Sequence, residues 1–229
     1  MVSFKELIMG SKMLTGSLMV FGTILTIIML FVEPGDITEG LTFEVIAQNL
    51  LDNSTLGEIT AVGWTVGVLA ITIGTAYLAR SMQGEHKPGS DLAGLASVLA
   101  FLSAGIVAIS SGIQMAIFDT EWVDQGGDIT NAWAIGEGAF RSMFMFMGAA
   151  SLLLGIAIFR QKNLNQIAGG ITGLFGALLL VGWIIPVSGD VFGTIGFIGF
   201  LGWPIMTIVL GVLTILSARK DALGIPPTK

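Results

Sequence analysis

A chain of 229 residues that is 53% hydrophobic and 11% charged, with a mean hydropathy of +0.87, belongs in a membrane, since soluble domains carry roughly 25% charged residues. A net charge of −6 without any clustered basic face argues against nucleic acid as a partner. The lack of cysteine excludes disulfides, thiolate nucleophiles, iron–sulfur clusters and thiolate zinc sites, and the lone His86 excludes a site built from several histidines.

Six runs reach the roughly 20 mostly apolar residues that a bilayer crossing needs: 13–32, 59–79, 92–118, 139–159, 166–187 and 192–217. Unpaired backbone groups are costly in hydrocarbon, and apolarity without period-2 alternation selects helices over a closed barrel. The expectation is an all-α polytopic bundle, one unit over 1–229, with six transmembrane helices. The first run follows Lys5 and Lys12 as a signal peptide would, but it is a full span long and no Ala-x-Ala-like cleavage site follows, so it reads as a span.

Lys5 and Lys12 precede the first span, and Arg80 and Lys87 join spans two and three. Arg160 and Lys162 join spans four and five, while Arg219, Lys220 and Lys229 follow the sixth. Nine of ten basic residues thus share one side, which predicts a plasma-membrane protein with both termini cytoplasmic. Twelve of sixteen acids fall on the opposite side. There, Pro34-Gly35 signals a turn, and Leu41, Phe43, Val45, Ile46, Leu50 and Leu51 follow at spacings that suit a short amphipathic helix on the outer face. Its polar residues are acidic, a poor match to anionic lipid. Asn53-Ser54-Thr55 fits the N-glycosylation pattern. Trp64, Trp122, Trp133 and Trp183 mark the outer interface, as an aromatic belt or, more sharply, as the lining of a ligand cleft.

Small residues organise the later spans. Ala96, Ala100, Ala104, Ala108 and Gly112 recur every four residues in the third, and Gly169, Gly173 and Ala177, with Gly170 and Gly176, do so in the fifth. Both stripes predict close helix contact. In the sixth, Gly193, Gly196, Gly199 and Gly202 precede Trp203-Pro204, which predicts a kink, read as tight packing that tolerates it or, alternatively, with Gly202 and Pro204 as hinge residues of a segment lining a substrate path.

Arg141 is the only basic residue on the outer side, two residues inside the fourth run, with Glu137 at i−4 in position to pair with it. It either ties the fourth helix to the acidic loops or anchors an anionic solute, with Glu137, Asp190 and Trp183 as companions and Glu58 or Asp119 as other partners. Thr65, Thr72, Ser97, Ser103, Ser110, Ser111 and Gln114 are typical of the remaining polar groups at depth, and hydroxyls in helices bond back to their own backbone. No carboxylates pair at mid-depth, so a proton relay lacks its parts. Met143, Met145 and Met147 spread around a helix and read as packing, and no cofactor is expected.

Pro34-Gly35-Asp36 followed by Ala47-Gln-Asn-Leu-Leu51, then Phe146-Met-Gly148, Leu152-Leu-Leu-Gly155, Phe159-Arg160 and the glycine-rich 169–176, resembles an uncharacterised prokaryotic six-span membrane family. That resemblance implies the six-span layout and no mechanism. The reading is a non-catalytic structural or accessory subunit that packs against other membrane subunits or a second copy of itself within the lipid bilayer. Its alternative is a carrier or channel for a small neutral or anionic solute, which requires a polar cavity between spans three, five and six that reaches Arg141. A membrane enzyme would need convergent titratable groups that the sequence does not offer.

Overall fold

The computed structural model describes residues 4–34, 41–184 and 190–223, the side chains of 4–10 and 190–193 excepted. These residues form eight α-helices and no strand: α1 Phe4–Val32, α2 Phe43–Asp52, α3 Ser54–Ser81, α4 Ser90–Met115, α5 Thr120–Asp124, α6 Ile129–Gln161, α7 Gln166–Ile184 and α8 Asp190–Leu223. Six stretches are long and apolar enough to cross a membrane: Ser11–Val32, Ser54–Ser81, Ser90–Phe118, Ile129–Gln161, Gln166–Ile184 and Thr194–Leu223. The fourth departs furthest from expectation, because the Asp128 carboxylate accepts from Asn131 N at 2.9 Å and caps a helix that starts well before its apolar stretch. Its outermost turns carry Asn131 and Glu137, which hide the helix from a hydropathy count.

The six long helices form a closed ring, α1–α3–α4–α6–α7–α8 and back to α1, each packed against two neighbours. Neighbours run antiparallel, so Lys12, Arg80, Arg160 and Arg219 gather at one end, the basic end, and α2 and α5 lie at the acidic end. Lipid offers no hydrophobic drive for helix association, so close packing must supply it. A Cβ at Gly22 would lie 2.6 Å from Gly67 O, and one at Gly16 would lie 2.5 Å from Gly211 O. The α7 and α8 stripes are used inside the chain: Gly169, Gly173 and Gly176 face α6, and Gly196, Gly199 and Gly202 face α7. Pro204 lies within α8, which continues through it without an unwound segment. Lys12 Nζ, 2.7 Å from Asp221 Oδ2, latches the first long helix to the last at the basic end.

Three buried clusters fill the ring. Met19, Leu78, Met82, Leu154, Ile158, Met206 and Leu210 occupy the basic half, and Val68, Ile71, Val107, Phe140, Met143, Phe144, Met147, Leu179 and Trp203 occupy the acidic half. The third seats α2, whose Ile46, Ala47 and Leu50 pack on Ile117, Ala132 and Trp133. The Thr42 hydroxyl accepts from Val45 N at 3.4 Å and caps this amphipathic helix. Phe43 and Val45, expected in its apolar face, remain 41% exposed. Gly35 of the predicted turn lies outside the described residues.

Candidate functional site at the acidic mouth

Arg141 and Glu137 occupy one face of α6, one turn apart, with Nε 3.8 Å from Oε1 and the arginine side chain 54% exposed. From Arg141 to Gln161, α6 rises about 30 Å, the thickness of a hydrocarbon core. With the end of α6 at the basic interface, Arg141 reaches the opposite one, where its head can remain wet. Its guanidinium carbon lies 5.8 Å from the centroid of Trp183 on α7. Trp183 in turn stacks on Phe144, at 5.1 Å between centroids and 12° between planes.

Phe144 is the hub of the mouth. Its ring meets Phe140 at 5.1 Å, Phe200 at 5.5 Å and Trp203 at 6.3 Å, while Phe140 reaches Trp64 on α3 at 4.5 Å. Side chains of α3, α6, α7 and α8 thereby meet across the ring and form an aromatic floor beneath Arg141. Within and below that floor Met143, Met147 and Leu179 are 0% exposed. Among the described residues, the part of the interior between α4, α7 and α8 that lies next to Met143, Met147 and Leu179 is lined by buried apolar side chains. Trp183 Nε1 is buried without an acceptor among the described residues.

Glu33 completes the mouth, immediately after the last turn of α1. Its carboxyl is pushed up to about 7, by burial first and by the Glu137 carboxylate second. Since α1 and α6 are not neighbours in the ring, this influence of Glu137 acts from across it. In the folded chain this raised value holds the proton more tightly than the ordinary 4.5, so the contribution to stability is fully present below about pH 4.5 and declines as pH rises to about 7. The melting temperature in detergent is expected to fall over that window, and Glu33→Gln should flatten the dependence. A flat profile in the native chain would show that Glu33 is solvated.

Of the predicted site residues, the structure brings together Arg141, Glu137 and Trp183. The Asp190 side chain lies outside the described ones. Glu58 and Asp119 are exposed and make no ion pair with Arg141 among the described residues. Gly202 has no part in the mouth and packs on the Phe175 ring. Sequence reasoning missed Glu33 and Phe144. An acid at a helix end and a phenylalanine in an apolar run are too common to stand out, and only packing between helices brings Glu33 within the influence of Glu137 and gives Phe144 its ring partners on α7 and α8. Among the described residues no three His, Asp or Glu converge in a way that could hold a metal ion.

Arg141→Ala removes one exposed ion pair and one cation–π contact, together worth about 1 kcal/mol. A drop of a few degrees in the detergent melting temperature is expected, and an unchanged melt would show that neither contact forms.

The chain matches no protein-family model, no curated protein and no solved structure. Its class rests on its own fold: six long apolar helices in one closed ring make it a multi-pass membrane protein. The likeness to an uncharacterised six-span family is supported as far as that layout.

Proposed function

We propose that the chain is a non-catalytic structural or accessory subunit of the plasma membrane, one unit over 1–229, with both termini cytoplasmic and the acidic mouth outside. The observation that supports this reading is the apolar packing around Phe144 and Met147, which among the described residues leaves buried apolar side chains along the ring interior. The segregation of basic and acidic residues to opposite ends supports the orientation. Extraction from native membranes in mild detergent should yield a complex of defined stoichiometry by native mass spectrometry. A lone monomer across several detergents would overturn the accessory role, and external labelling of a cysteine placed beside Lys162 would overturn the orientation.

The second reading, a carrier for a small neutral or anionic solute, is favoured by one feature. Arg141 presents half of its side chain to the mouth while lying against Trp183, an arrangement able to receive an anion. Uptake of small anions into proteoliposomes, lost in Arg141→Gln and retained in Arg141→Lys, would select this reading over the first.

A further inference from the structure

Two hydrogen-bond donors with capacity to spare stand side by side at the acidic mouth. Trp183 Nε1 is buried without an acceptor, the one buried side-chain polar atom among the described residues left in that state. The Arg141 side chain is 54% exposed, and its approach to Glu137, 3.8 Å from Nε to Oε1, is longer than a hydrogen bond. The two groups are adjacent, with the guanidinium carbon 5.8 Å from the indole centroid. A buried N–H without an acceptor is costly. Phe144, 5% exposed and stacked on the indole, prevents the ring from turning that donor toward water. The pair therefore lacks an acceptor with several anionic oxygens, such as the carboxylate or phosphate that a guanidinium fork receives.

A simple anion does not suit the place. Twelve of the sixteen acids fall in segments at this end against Arg141 alone, and a field of that sign repels free anions. A fitting ligand carries a cation beside its oxygens, and carboxylates to receive it are present. Glu137 is one turn from Arg141 on the same helix, about 6 Å along the axis, and Glu33 lies within the influence of Glu137. The phosphate and ammonium of a phosphoethanolamine group, joined by two carbons, span a similar length. Depth agrees, because Arg141 stands about 30 Å along α6 from the basic interface, at the level of lipid headgroups.

We propose that the acidic mouth binds the phosphoethanolamine headgroup of a membrane lipid, with phosphate oxygens on Arg141 and the Trp183 N–H and the ammonium on Glu137 and Glu33. The guanidinium, on its flexible stem, swings outward to admit the phosphate to the indole edge that Phe144 holds still. The inference stands apart from both functional readings, since a subunit and a carrier can each hold a headgroup.

Phosphatidylethanolamine added to the delipidated chain in detergent should raise its melting temperature. Phosphatidylglycerol and phosphatidylcholine with the same acyl chains should raise it little, the first lacking the ammonium and the second its N–H donors. Trp183→Phe keeps the stack on Phe144 and deletes only the donor. Its lipid-free melting temperature should equal or exceed the native one, while its affinity for phosphatidylethanolamine, read by native mass spectrometry, should fall about tenfold, the worth of one hydrogen bond to a charged group. Glu137→Gln should erase the preference over phosphatidylglycerol. Glycerophosphoethanolamine, which has the headgroup without acyl chains, separates the sources: a shift equal to that of the lipid would identify a free solute and overturn the membrane lipid. Equal shifts from the three lipids, or native affinity in Trp183→Phe, would overturn the site itself.

Discussion

Gly155→Leu is expected to abolish assembly of the ring. A Cβ at this position would lie 2.6 Å from both the Gly169 carbonyl oxygen and the Gly173 Cα, so the obstacle is backbone with no flexible side chain to yield. Overpacking among side chains costs about 1–3 kcal/mol, and helix backbone pressed on helix backbone belongs at or beyond the top of that range. The variant should appear in membranes at low yield and elute from size exclusion as aggregate. Gly170→Leu supplies the control: it is one residue from Gly169 on the same helix, yet nothing lies within 4 Å of its Cβ position, so it should behave as native. Equal behaviour of the two variants would refute the α6–α7 contact.

Phe144→Ala is expected to give the second largest loss. The ring is 5% exposed and touches Phe140, Trp183, Phe200 and Trp203. Truncating a buried phenylalanine costs about 3–5 kcal/mol, part of it for the cavity left behind. Unfolding by a denaturing detergent should shift accordingly, and Trp183 emission should change because its stacking partner is gone. The same variant separates the two functional readings. A structural subunit only loses stability, whereas a carrier whose axis is opened should pass small solutes through proteoliposomes that the native chain excludes.

The architecture could be read in advance because it is written in bulk hydropathy and charge order, which are local properties summed over whole spans. The six long apolar helices and the amphipathic α2 needed no knowledge of neighbours. The start of α6 was not legible, because polar Asn131 and Glu137 lie on helical turns that continue beyond the hydrocarbon. The short helix α5 was missed as well, being a single turn held by the Asp119 carboxylate on Trp122 N at 3.1 Å. The use of the stripes was legible only in part. Spacing announces that Gly169, Gly173 and Gly176 approach a helix, but not whether that helix is α6 or another protein. The mouth was least legible, since Arg141 and Glu137 pair through local periodicity while the influence of Glu137 on Glu33 and the rings that Phe144 touches on α7 and α8 come only from packing between helices.

That closure also sets an order of events during synthesis. One flank of α1 has its mate as soon as α3 is inserted, but the flank carrying Gly16 must wait for Gly211, almost the whole length of the chain later. Until α8 leaves the ribosome the nascent bundle is an open arc, with lipid or a chaperone against an edge shaped for protein. Only then can Lys12 find Asp221, which makes this ion pair a marker of the closed ring.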